Sequence, residues 1–109
     1  PVSRLLAEEA AAEVERALDE GRGIGVDELA ERLDVSRSKL CATFSQETGE
    51  SMGAYARRRR IERAEALLRD RGLSVGETAA RLGYPSATAF SQAFRTAHGM
   101  SPTEWRVRQ

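Results

Sequence analysis

Thr88, Gln92 and Arg95 are separated by four and three residues, the spacing that lines side chains up on one face of a helix. Their chemistry suits the edges of base pairs. A glutamine amide bonds adenine at N6 and N7, and a threonine bonds thymine or touches its methyl group. A guanidinium reaches guanine or phosphate, and Arg95 lies a turn deeper, so phosphate is its expected partner. Ser91 sits at the edge of the same face. Fifty positions earlier, Ser38, Cys41 and Ala42 occupy matching places, with Ser45 and Gln46 beside them. Base contact is therefore expected at Ser38, Cys41, Ala42, Thr88, Ser91 and Gln92. Phosphate contact is expected at Ser36, Arg37, Lys39, Ser86 and Arg95. Ser36 and Ser86 each open a helix, where the hydroxyl and free N–H groups suit a phosphate and serve equally as an N-cap.

Other chemistry is sparse. Arg57, Arg58, Arg59 and Arg60 point in four directions around a helix, so one or two are expected at phosphate. The others are expected to pair with Glu62 or with acids of the first helix. Cys41 is the single cysteine, which excludes an intrachain disulfide and a cysteine zinc site. With no resolving partner nearby it reads as a small filler. His98, the single histidine, reads as a packing residue near a helix end. No nucleophile–base pair, phosphate loop or supported carboxylate pair stands out. No enzyme, cofactor or metal site is expected.

Helices must position these side chains, and helix is the pattern throughout. Ala, Arg, Glu and Leu dominate, and β-branched runs are absent. Leu6, Ala10, Val14, Ala17 and Leu18 form one stripe, predicting a helix over about residues 3–20, stopped by Gly21, Gly23 and Gly25. Val26, Leu29, Ala30 and Leu33 mark a short second helix. After a turn at Asp34-Val35-Ser36, a third helix points Leu40, Thr43 and Phe44 inward and ends at Gly49. Ser51 starts a longer helix to about Arg69. Gly72 and Ser74 break it, and Val75 to Leu82 is short again. Gly83-Tyr84-Pro85-Ser86 is a turn, followed by a helix from Thr88 to about His98 with Phe90, Ala93 and Phe94 inward. Gly99 stops that helix, and Ser101-Pro102 opens a last one packed down by Trp105. The expected fold is all-α: seven helices forming two helix-turn-helix subdomains (1–50 and 71–109) joined by a linker helix (51–70).

The halves repeat. At an offset of 49, Val26, Glu28, Ala30, Arg32 and Leu33 match Val75, Glu77, Ala79, Arg81 and Leu82. Beyond the turn the offset is 50: Ser36, Phe44, Gly49 and Ser51 match Ser86, Phe94, Gly99 and Ser101. Leu40 pairs with Phe90, and Tyr55 with Trp105. Each copy is helix, short turn, helix, with alanine where close helix contact is needed, which is the form whose second helix enters the major groove. A linker of about 18 helical residues spans roughly 27 Å. With a packed unit at each end, the two second helices are expected near one DNA turn apart, about 34 Å.

The 109 residues carry no net charge, yet the charge is segregated. Residues 1–35 hold ten acids and four arginines, a balance of −6, and residues 36–109 hold thirteen bases and seven acids, a balance of +6. A neutral chain of this kind still presents a basic face to phosphate. No apolar run approaches the roughly 18 residues of a membrane span, and no signal peptide is visible, so a cytoplasmic protein is expected. Beginning at Pro1 without Met, the sequence reads as a processed or shortened chain.

The motifs resemble the AraC/XylS family of bacterial transcription regulators. The likeness is densest in Arg59-Arg60-Ile61-Glu62-Arg63-Ala64-Glu65-Ala66-Leu67-Leu68, in Leu73-Ser74-Val75-Gly76-Glu77-Thr78-Ala79, and in Leu82-Gly83-Tyr84. It continues through Phe90-Ser91-Gln92-Ala93-Phe94-Arg95 and His98-Gly99-Met100-Ser101-Pro102. The first half is similar through Leu29-Ala30, Val35-Ser36, Leu40, Phe44 and Glu47-Thr48-Gly49. The resemblance covers roughly residues 5–107. It implies double-stranded DNA as partner, RNA polymerase as a second, and an effector-binding or dimerisation domain ahead of this one in longer chains. It also places base readers on the outward residues named above. Some relatives join this module to a DNA-repair methyltransferase with zinc and several cysteines, which one cysteine excludes here. Thr78 stands where the family has an aliphatic residue and His98 where it has an aromatic, implying looser local packing. Ser38, Cys41 and Ala42 are small where relatives place large polar or aromatic side chains, implying a weaker first reader.

The competing reading is a helical protein-interaction module that has lost specific DNA binding. Its support is the weak first reader and the zero net charge. Titration against DNA at low salt separates the two.

Overall fold

The computed structural model describes residues 2–109 and places them in seven α-helices, with no strand among the described residues. They are α1 (Val2–Asp19), α2 (Val26–Arg32), α3 (Arg37–Thr48), α4 (Met52–Asp70), α5 (Val75–Arg81), α6 (Ala87–His98) and α7 (Pro102–Val107). The all-α, seven-helix expectation holds. The apolar stripes dictate the packing. Leu6, Ala10, Val14, Ala17 and Leu18 are all buried along α1. Gly21 ends that run with a positive φ of 79°, a conformation in which a side chain would be strained.

The chain forms two compact units, Pro1–Arg57 and Arg58–Gln109. In the first, α1 packs on α2 and α3 around Val14, Leu18, Leu29, Leu40, Phe44 and Met52. Phe44 meets Tyr55 edge to face with ring centroids 5.3 Å apart. In the second, Ile61, Ala64 and Leu68 of α4 join Leu82, Phe90, Phe94 and Trp105 in a separate core. Phe94 is its aromatic hub, 5.8 Å from Phe90, 5.5 Å from Trp105 and 4.3 Å from the stacked His98 ring.

The repeat is visible as structure. α2 and α5 have seven residues each, and α3 and α6 have twelve each. Asp34 and Gly83 occupy the same left-handed position, with φ 56° and 77°. The next residue in each copy donates its N–H to the small alanine of the preceding helix: Val35 to Ala30 at 3.1 Å, Tyr84 to Ala79 at 3.0 Å. The copies therefore stay in register at offset 49 through Val35 and Tyr84, and Pro85 is the extra residue that shifts the offset to 50. Gly49 and Gly99 then close α3 and α6 in matching left-handed C-caps.

Serine caps fix where the helices start. Ser36 and Ser86 accept hydrogen bonds from the N–H groups of Lys39 and Ala89, both at 3.0 Å. Ser74 with Glu77, and Ser101 with Glu104, complete reciprocal capping boxes. Hydrogen bonding to those serines lowers the carboxyl pKa of Glu77 and Glu104, because it favours the ionised form.

Candidate nucleic-acid interface

α6 has two unlike faces. Phe90 and Phe94 are buried, whereas Ser86, Thr88, Gln92, Arg95 and Thr96 are exposed and Ser91 is half-buried at the edge. That is the division the helical spacing predicts. The helix holds its outward side chains firmly, because its apolar side is locked into the second core and its N-terminus is capped. The Arg95 guanidinium stands 3.9 Å from the Glu104 carboxylate and remains largely open to solvent. The Thr96 hydroxyl donates to the Gln92 carbonyl at 3.0 Å, so its proton serves the helix itself.

α3 has the same layout with smaller tools. Ser36, Arg37, Ser38, Lys39, Ala42, Ser45 and Gln46 are exposed, Cys41 is half-buried, and Leu40 and Phe44 are buried. The structure thus brings both sets of expected contact residues to the exposed sides of α3 and α6, with Cys41 and Ser91 only half-exposed at the edges. Arg37 is already engaged: its Nη1 donates to Asp27 Oδ1 at 2.6 Å. That hydrogen bond, and then the Asp27 charge, raise the pKa of Arg37.

The arginine run divides its labour. Arg58 and Arg59 donate to Glu62 at 3.1 and 2.7 Å. Exposed pairs of this kind contribute about 0–1 kcal/mol. Arg60 is different. Its Nε and Nη2 donate to the Leu82 carbonyl at 3.0 and 2.8 Å, and its guanidinium carbon lies 3.8 Å from the Tyr84 ring centroid. Tyr84 in turn lies 5.2 Å from Phe90, so Arg60 braces the turn that launches α6. Burial of Tyr84 raises its pKa, opposed by the Arg60 charge. Sequence reasoning missed this role. The only available signal was an arginine immediately before the first buried residue of the second core, Ile61.

Two further supports were also missed. Arg106 donates to the Leu73 carbonyl, tying α7 to the segment before α5. Ser74 and Ser101 carry a serine-x-x-glutamate spacing, which would have identified both capping boxes. Thr78 and His98 do not loosen their surroundings as the resemblance implies. Thr78 is fully buried and its hydroxyl donates to the Ser74 carbonyl at 2.9 Å. His98 stacks on Phe94 and bonds Glu65 of α4 at 3.0 Å. A flat imidazole supplies the ring face that an aromatic residue would, and adds a polar bond.

Charge follows the two units. Pro1–Arg57 carries seven bases and twelve acids, and Arg58–Gln109 carries ten bases and five acids. No group of histidine, cysteine and acidic residues is placed to hold a metal among the described residues. Among the described residues, no helix is long and apolar enough to cross a membrane.

Comparison with known proteins agrees with this geometry. A family model described as a helix-turn-helix domain matches residues 29–108. The xylose operon regulatory protein of Escherichia coli K12 is 35% identical over 85 residues. The aligned part is 78% of this chain and 22% of that protein's length. Among solved structures, the C-terminal domain of AraT, a response regulator from Geobacillus stearothermophilus, superposes with a TM-score of 0.87. It is 30% identical, and the match covers 95% of this chain and 85% of that one. The DNA-binding domain of AdpA, a global transcriptional factor in complex with a target DNA, gives a TM-score of 0.80 at 31% identity, covering 94% and 90%.

Proposed function

The chain belongs to the AraC/XylS family of helix-turn-helix domains, and we propose that it binds double-stranded DNA at specific sequences and regulates bacterial transcription. The observation that carries this reading is the face of α6 on which Thr88, Gln92 and Arg95 stand exposed while Phe90 and Phe94 opposite are fully buried. A rigid helix with hydrogen-bonding side chains on its open face is what major-groove readout requires. α6 and α3 enter successive major grooves, one from each of the subdomains at 71–109 and 1–50, with 51–70 as linker helix.

The two readers are unequal. Thr88, Ser91 and Gln92 read bases from α6, with Gln92 on adenine. Ser38, Cys41 and Ala42 line the base edge from α3 and add little discrimination. Ser36, Arg37, Lys39, Ser86 and Arg95 hold the backbone. At Ser36 and Ser86 the side-chain oxygen caps the helix while the freed N–H groups at the same end face phosphate. The basic unit Arg58–Gln109 supplies most of the salt-dependent attraction. Output through RNA polymerase, an effector-binding or dimerisation domain elsewhere in the whole protein, and action in the cytoplasm belong to the same proposal.

Two experiments test it. Titrated with DNA at low salt, the chain is expected to bind, with affinity falling steeply as salt rises. No binding, or binding indifferent to salt, would favour a protein-interaction module instead. Gln92→Ala is expected to cost about 1–3 kcal/mol at a specific site and to relax preference at one base pair. Equal loss on all sequences would contradict base reading by Gln92.

A further inference from the structure

The ion pair between Asp27 and Arg37 has no counterpart in the second unit. At the repeat offsets, position 27 corresponds to Gly76 and position 37 to Ala87. The first unit therefore carries both an extra base at the start of its outward-facing helix and an acid that holds it. Asp27 Oδ1 accepts from Arg37 Nη1 at 2.6 Å, and both side chains are exposed, 83% and 61%. Arg37 is the first residue of α3, beside the Ser36 cap, where a phosphate would lie against the helix N-terminus. A carboxylate already on the guanidinium must be displaced before a phosphate oxygen takes its place, and the displaced charge then stands beside another anion.

We propose that Asp27 sets the affinity of the first unit by occupying the Arg37 guanidinium in the free protein. The inference rests on the DNA-binding reading above. Asp27 acts as an internal substitute for phosphate, so α3 engages DNA through Arg37 only where other contacts outweigh the exchange. An exposed pair is weak enough to be exchanged. Fold stability needs the pair little, since neither side chain belongs to the first core.

The test is Asp27→Asn, titrated with a mixed-sequence duplex of three helical turns over a range of salt. Asparagine keeps the shape and removes the charge. Binding at low salt is expected to tighten about three- to fivefold. The slope of log affinity against log salt should steepen by about 0.9, one additional phosphate contact. In an Arg37→Ala background the same substitution should leave that slope unchanged. An Asp27→Asn chain that is folded by circular dichroism and binds like, or more weakly than, the parent would overturn the proposal. So would an equal change in both backgrounds, which would mean general charge relief. A parent chain with no salt-dependent binding would overturn the DNA-binding reading as well, whereas a parent that binds and a variant that does not respond would overturn this inference alone.

Discussion

Phe94→Ala is expected to destabilise the protein by about 3–5 kcal/mol, the range for emptying a fully buried aromatic site. Phe94 is completely buried and contacts three rings, Phe90, His98 and Trp105, at centroid distances of 4.3 to 5.8 Å. Those rings come from α6 and α7, so the cavity cannot close by moving one side chain. His98 would also lose the surface it stacks on, which weakens its bond to Glu65. In a small domain, 1 kcal/mol moves the melting temperature by roughly 4–8 °C, so a drop of at least about 12 °C is expected. Thermal denaturation followed by circular dichroism reads it directly. A melting temperature within a degree or two of the parent would show that Phe94 does not anchor the core.

Arg60→Ala should act on the turn and not on the core. It removes two charge-assisted hydrogen bonds to the Leu82 carbonyl and the contact with the Tyr84 ring. Hydrogen bonds to charged groups contribute about 1.5–3 kcal/mol, and a partly desolvated cation–π contact about 0.5–2 kcal/mol. Leu82 is buried, so alanine leaves its carbonyl short of a partner. Both bonds share one carbonyl acceptor and count about as one, so a loss of about 2–5 kcal/mol is expected. Arg60→Lys keeps the charge without the planar fork and should restore less than half of it. Because Tyr84 packs on Phe90, loosening this turn also loosens the start of α6. DNA affinity should fall in Arg60→Ala even under conditions where the variant is folded. Stability equal to the parent would show that the turn holds itself.

The folded elements were legible because several local signals agreed. Apolar stripes at helical spacing marked α1 and the inward faces of α3 and α6. Glycines marked the ends, and Ser36 and Ser86 the starts. Duplication fixed the pairing of elements at offsets of 49 and 50. Even the change of offset was visible, although only the turn geometry assigns the extra residue to Pro85. The open faces of α3 and α6 follow from the same periodicity, so the exposure of Thr88, Gln92 and Arg95 was legible in the sequence.

Long side chains were much less legible. Four consecutive arginines look alike in sequence, yet Arg58 and Arg59 turn to Glu62 while Arg60 reaches a carbonyl 22 positions away. Arg106 finds a carbonyl 33 positions away, and Arg37 an acid ten positions away. Arginine has several rotatable bonds and no periodic signature, so its partner depends on which turn passes nearby. His98 packs near its helix end as its sequence position suggests, but its partners were not legible. Only the tertiary fold brings Phe94 under its ring and Glu65 to its nitrogen.

Selection of bound duplexes from random DNA by the intact chain tests the proposed base reading by α6. The expected result is an enriched motif with two half-sites centred about 10–10.5 base pairs apart, one sharply defined and one degenerate. Repeated with Gln92→Ala, the selection should lose definition in the sharp half-site and keep the other. No enrichment above random, or an enriched motif unchanged by Gln92→Ala, would contradict it.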